Sequence, residues 1–255
     1  MSHGSRDPRP QLELEKLAEI LSLQLKSFTF LPKNGKKKQV IAIGTLELGP
    51  ILLHEQLYRF AQQARSLNIS QIQVVPLFLL PGVHVKEDIP AEIAIACQYL
   101  TAKRHLNNAT QMNQINFNLC PHLGSHPKII NLLVTKITPL IADTWVLLSH
   151  GSRRPGANEP VEKIANLLQQ DCKVSVHTAY WSVSLDIEST IEKLVRQGHQ
   201  AIGILPYFLF SGGIIDAIAL TINQLAEKYP SVKFHLTQPL GATEELAELI
   251  VDLIR

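Results

Sequence analysis

The pentapeptide "SHGSR" stands at Ser2–Arg6 and again at Ser149–Arg153, and each copy heads a stretch that matches the other in order. "IQVVPLFLLPG", ending at Gly82, returns as "IGILPYFLFSG", ending at Gly212. "PHLGSHPKIINLLVTKI" from Pro121 returns as "PLGATEELAELIVDLI" from Pro239. Three matches in one order identify a tandem duplication, which restricts the fold to two copies of one topology. The chain has 255 residues, enough for one large α/β domain or two small ones, and the repeat selects two lobes, 1–140 and 141–255.

Within each copy, short apolar runs alternate with longer segments of helical period, the pattern of βαβ units around a parallel sheet. The expected class is α/β. In the second copy strands are predicted at "TWVLLS", "KVSVHTAY", "AIGILPYFLF" and "VKFHL", with helices near 157–170, 186–197, 214–228 and 243–254. In the first copy strands are predicted at "QVIAIGTL", "IQVVPLFLL" and "INFNL", with helices near 10–27, 51–66, 89–101 and 127–139. The first strand of the first lobe has no counterpart: "TWVLL" leads into Ser149, whereas only Met1 precedes Ser2. A buried strand absent from a sheet leaves its neighbours' backbone groups unpaired. Either the natural start lies upstream, or another segment fills the gap.

Composition narrows the function. A net charge of +2 with no concentrated basic motif argues against a nucleic-acid partner. No apolar run reaches the roughly 18 residues of a membrane span, and the polar first residues do not form a signal peptide. The expectation is a cytoplasmic protein. Cys97, Cys120 and Cys172 are odd in number and widely spaced, which suits reduced thiols and not a disulfide framework. "KNGKKK", Lys33–Lys38, reads as a solvated basic connector.

The second copy places its "SHG" on the loop after a strand's carboxyl end, where open α/β sheets bind ligands. His3 takes the same position in the first copy. His84, after the Pro81–Gly82 turn, is expected at the same edge, and Asp88 and Pro90 read as the N-cap and first turn of the next helix. Glu47, in "IGTLELGP", follows the neighbouring predicted strand. Two imidazoles and a carboxylate with an open position suit a divalent transition metal. Cys120, His122 and His126 resemble a metal knuckle, but the matching "TQPLGATEE" carries no equivalent ligands, so the Leu-Gly turn is read as a helix start.

The chain resembles the small class II tetrapyrrole chelatases, the sirohydrochlorin ferrochelatases and cobaltochelatases of sirohaem and cobalamin synthesis. The likeness rests on "HGSR", "LEL", "PLFLLPGVHVKEDIP" and the "LG" before the last helix of each half, and covers nearly the whole chain. It implies two tandem flavodoxin-like lobes and a lyase that inserts Fe²⁺ or Co²⁺ into sirohydrochlorin. In that reading His3, His84 and Glu47 are both catalytic and metal-binding. The metal is a substrate, with no permanently bound cofactor, and the state of association, monomer or homodimer, stays open.

The duplication then assigns the chemistry to one lobe. Aligning Pro76 with Pro206 sets His84 opposite Ile214, and Ser182 is the counterpart of Glu47, so the second copy keeps His150 but loses the other ligands. His150 is open between a substrate contact and a loop histidine bonded to backbone. Sirohydrochlorin is a polycarboxylate, so Arg6, Lys86, Arg153 and Arg154 are expected to contact it by position. Insertion requires the ion to shed water and the ring to lose its pyrrole protons, and imidazole is both a borderline-soft ligand and a base that works near neutral pH.

Rival readings fare less well. Histidine phosphatases use Arg-His-Gly, whereas serine precedes both His3 and His150, and a G-x-S-x-G elbow is absent. A non-catalytic tetrapyrrole or metal carrier with the same fold is the alternative. Turnover separates the two.

Overall fold

The computed structural model describes residues 1–28, 39–106, 114–182 and 186–255. The basic connector at Lys33–Lys38 lies outside the described residues. In chain order the elements are α1 (Arg9–Phe28), α2 (Leu53–Ser66), β1 (Gln71–Val74), α3 (Ile89–Leu106), β2 (Asn116–Leu119) and α4 (Ile129–Ile137). They continue with β3 (Thr144–Ser149), α5 (Glu159–Cys172), β4 (Ser175–Tyr180), α6 (Ile187–Arg196) and β5 (Ala201–Pro206). α7 (Gly213–Lys228), β6 (Lys233–Leu236) and α8 (Glu244–Leu253) complete the chain. This is the α/β alternation that the periodicity predicts.

Two compact units result, Met1–His126 with Ala242–Arg255, and Pro127–Gly241. They differ from the sequence repeats at the closing helices. α4 ends the first repeat yet packs on α5 and β5 in the second unit, while α8 ends the second repeat and packs on α1 in the first.

The second unit holds a parallel sheet of order β4-β3-β5-β6. β3 lies between β4 and β5 and is buried at all six positions, as its unbroken apolar sequence requires. Gly203 in β5 faces the Trp145 ring so closely that a Cβ there would overlap the indole, so only glycine fits. α6 starts at Asp186, whose carboxylate accepts from the Ser189 N–H, and buries Ile187, Ile191 and Leu194 along one stripe. Burying each such side chain is worth roughly 1.5–3 kcal/mol.

In the first unit β1 pairs in parallel with β2, over a core that includes Leu57, Ala61, Val74, Ile89 and Ala96. The predicted strand "QVIAIGTL" is a correction: residues 39–44 run alongside without pairing, and a single parallel bridge joins Ser2 to Thr45. Among the described residues no strand lies beside 39–44 to supply a ladder, and pairing begins only where Ser2 N–H donates to the Gly44 carbonyl at 2.9 Å. "IQVVPLFLL" also shortens, ending as a strand at Val74, because Pro76 has no N–H to continue the ladder. β5 likewise stops at Pro206.

Candidate metal centre

His3 is positioned by backbone. Leu46 N–H donates to the Ser2 carbonyl at 2.9 Å and Glu47 N–H to the His3 carbonyl at 2.8 Å, which locks Glu47 beside His3. Gly4 then turns the chain away at φ 101°, and a Cβ at that position would land on the Glu47 carbonyl oxygen. Glycine is required there on both counts. Leu48, at φ 57°, makes a left-handed turn directly after Glu47.

His84 arrives from the other direction. After Pro81 the Gly82 carbonyl accepts from Val85 N–H at 3.2 Å and Lys86 N–H at 3.1 Å, and the chain coils into a π turn, His84–Asp88, that runs into α3. Such turns recur at functional sites. Asp88 is therefore not the N-cap that its spacing suggests. It lies inside the turn, and His84 Nδ1–H donates to its carboxylate at 2.7 Å. That bond fixes the ring's orientation and leaves Nε2 as the free ligand atom, the arrangement of a metal-ligating histidine with its outer carboxylate.

The three side chains meet. One ligand atom each from His3, Glu47 and His84 lies within 4.8 Å of the others. His3 Nε2 is 3.7 Å from Glu47 Oε2, and the His3 and His84 rings meet edge to face at 4.8 Å between centroids. Two ligands bound to one ion at about 2.1 Å stand roughly 3–4 Å apart, so the set needs only a small inward movement to coordinate. Phe78 backs the His84 ring at 5.9 Å and is apolar cover on that side. The trio is half open to solvent, His3 at 47% and Glu47 at 52%, so an ion and a large planar partner have access. Among the described residues it is the one set of three or more such side chains gathered so that it could hold a metal ion.

The remaining residues singled out in the sequence fall in two places. Arg6 and Lys86 are exposed in the first unit, on the loops that carry His3 and His84. His150, Arg153 and Arg154 are exposed in the second unit, on the loop after β3. There Ser182 N–H donates to the His150 carbonyl at 3.0 Å, the same rung that joins Glu47 to His3. Ser182 Oγ–H donates to that carbonyl at 2.7 Å. Ser182 thus occupies the place of Glu47 and uses its side chain on backbone. Cys120, His122 and His126 do not converge: Cys120 Sγ–H donates to Gln73 Oε1 at 3.4 Å, and His126 Nε2 lies 3.8 Å from Asp252. Burial lowers the His122 pKa.

Sequence reasoning missed the role of Asp88 and the pairing of buried His54 with half-buried Glu92. The backbone N–H and Nδ1–H of His54 donate to one Glu92 oxygen at 2.7 and 2.9 Å, tying α2 to α3. A His followed four residues later by Asp was the available signal for the first.

The CbiX family model matches residues 1–140 and again 144–255, one match per repeat. The chain belongs to the CbiX family. This CbiX-family chain is 26% identical over 189 residues to the sirohydrochlorin cobaltochelatase of Priestia megaterium, an alignment covering 70% of this chain and 58% of that protein. It is also 26% identical over 188 residues to the sirohydrochlorin ferrochelatase of the same organism, covering 71% and 65%. The match thus spans less than two thirds of either relative. Among solved structures, SirB from Bacillus subtilis with Fe³⁺ superposes with a TM-score of 0.75 at 23% identity, covering 100% of this chain and 92% of that one, which shows a chelatase fold. No described helix is long and apolar enough to cross a membrane.

Proposed function

We propose that this CbiX-family chain is a lyase that inserts Fe²⁺ or Co²⁺ into sirohydrochlorin, with the metal delivered by His3, Glu47 and His84. The observation that carries the reading is the convergence of these three ligand atoms, within 4.8 Å of one another, in one unit. The relatives' names supply the substrate: both Priestia megaterium proteins are sirohydrochlorin chelatases, one for cobalt and one for iron. Both ions accept the same nitrogen and oxygen ligands.

The chemistry follows from the groups. A hydrated divalent ion exchanges water for His84 Nε2, His3 and the Glu47 carboxylate, whose charge offsets part of the ion's own. Its remaining positions stay open for ring nitrogens. As the metal–nitrogen bonds form, the two pyrrole N–H protons leave to the histidines or the carboxylate as these release the ion, and pass to solvent, so charge balances at two protons per divalent ion. Arg6 and Lys86, on the same loops, suit the carboxylates of the macrocycle through charge-assisted hydrogen bonds. Arg153, Arg154 and His150 are further candidates for substrate contact on the second unit's own loop.

Absorbance tests this. Under anaerobic conditions the protein with sirohydrochlorin and Co²⁺ or Fe²⁺ should convert the macrocycle spectrum catalytically, and His84→Ala should lower the rate at least about 100-fold. Because the side chain is half exposed, the variant's melting temperature should stay within a few degrees of the parent. Unchanged turnover in that variant contradicts the site. Stoichiometric binding of macrocycle or metal without turnover in the parent contradicts the activity in favour of a carrier.

A further inference from the structure

Glu47 sits on a loop, Thr45–Ile51, that one side chain fastens at both ends. Gln56, in the first turn of α2, accepts from the Thr45 N–H through Oε1 at 3.0 Å and donates through Nε2 to the Thr45 and Ile51 carbonyls at 2.9 Å each. The loop is tight inside that bridge: a Cβ on Gly49 would overlap Thr45 Oγ1 and press on Gln56 Nε2. Leu48, directly after Glu47, holds a left-handed φ of 57°, a costly conformation for leucine that persists only where the surroundings over-determine it. Ahead of Leu48 the rungs from Leu46 and Glu47 to Ser2 and His3 supply the constraint. Beyond it the Gln56 amide does.

The helix that carries Gln56 is anchored in turn to the element that carries His84. α2 has no side-chain cap of its own, with Leu52 at its N-cap position. Glu92 of α3 takes the place of a cap, one oxygen accepting from the His54 N–H at 2.7 Å and from its Nδ1–H at 2.9 Å. α3 begins at Ile89, the residue after the His84–Asp88 turn. A continuous path therefore runs from the Glu47 loop through Gln56, His54 and Glu92 to His84, separate from the backbone bonds that join Glu47 to His3.

The second copy supplies a contrast. Ile187 and Ile191 are buried on α6 as Leu53 and Leu57 are on α2, and that register sets Thr190 opposite Gln56. Thr190 Oγ1–H donates to the Asp186 carbonyl at 2.9 Å, at the start of its own helix. The copy with Ser182 in the place of Glu47 thus carries no amide at the place of Gln56.

We propose that Gln56 is a positioning residue of the metal site: it holds the Glu47 loop in place relative to His84, with Glu92 anchoring the helix on which it stands. The proposal rests on the reading of His3, Glu47 and His84 as the ligand set. A divalent ion is bound tightly when its ligands are already held near their coordinating positions, and the groups that hold them are then part of the affinity.

Cobalt titration of the full chain, in a double-variant cycle with Glu47, tests this. Gln56→Met keeps the length of the side chain and drops its amide. It should weaken Co²⁺ binding about 10-fold in the parent and less than about 2-fold in a Glu47→Ala background, because a residue that acts through Glu47 has nothing left to position once the carboxylate is gone. In turnover the KM for Co²⁺ should rise about 10-fold while the KM for sirohydrochlorin stays within about 2-fold. If Gln56→Met does not fold, Gln56→Asn gives the same comparison, since its shorter stem cannot bridge both carbonyls. Parent-like cobalt affinity in the variant overturns the proposal. So does an equal loss in both backgrounds, which assigns the effect to general loosening, or a loss confined to the KM for sirohydrochlorin. A parent that binds no cobalt is a separate result and overturns the ligand set itself.

Discussion

At the scale of single residues the account rests on how His84 is held. Its ring is aimed by the 2.7 Å bond to Asp88, which in the proposed site makes Asp88 a positioning residue for His84. Removing such an outer partner typically costs 10–100-fold in metal affinity. Asp88→Asn should therefore weaken Co²⁺ binding by about 10–100-fold in a calorimetric titration while leaving His3 and Glu47 able to bind; affinity equal to the parent's would show that the bond does not orient the ligand. His3, Glu47 and His84 could be singled out in the sequence because ligands gather after strand ends in parallel α/β sheets, and the structure brings their ligand atoms within 4.8 Å of one another. The role of Asp88 could not, since an acid just before a helix and a proline spells an N-cap equally well. Only the π turn distinguishes the two.

Elements were legible where their partners are local. β3 reads as a buried parallel strand and is one, and the stripe of α6 appears as predicted. "QVIAIGTL" reads equally well as a strand, yet strand formation is decided by a neighbour, and among the described residues 39–44 have no strand beside them, with one isolated bridge from Ser2 to Thr45 at their end. Ladder ends depend on specific anchors as well. Asp143 caps the start of β5, its carboxylate accepting from the N–H groups of Gln200 and Ala201 at 2.9 Å each, and these bonds hold its pKa below the ordinary carboxylate range. A depressed carboxylate pKa means that the unfolded chain binds the proton more readily. The contribution is then present above the ordinary carboxylate range and lost as pH falls through the folded value. Thermal melts should show Asp143→Ala less stable than the parent at pH 7, with the gap closing below about pH 4. A gap independent of pH would assign the effect to packing.

At the scale of the whole molecule the duplication was the most legible feature, and the proposed asymmetry of the chemistry follows from it. Both copies keep the His-Gly loop and its backbone rungs, but Ser182 stands for Glu47 and Ile214 for His84, so among the described residues only the first unit gathers a possible ligand set. The exchange of closing helices was not legible, because α4 and α8 follow similar sequences and which sheet each covers depends on packing beyond its own repeat. The central claim is that metal delivery belongs to one copy alone. Crystals of the full chain soaked anaerobically in Co²⁺ and measured at the cobalt absorption edge test it directly. The account predicts an anomalous peak bonded by His3, Glu47 and His84 and none at the His150–Ser182 loop. A peak at His150, or cobalt bound elsewhere with the trio bare, would contradict it.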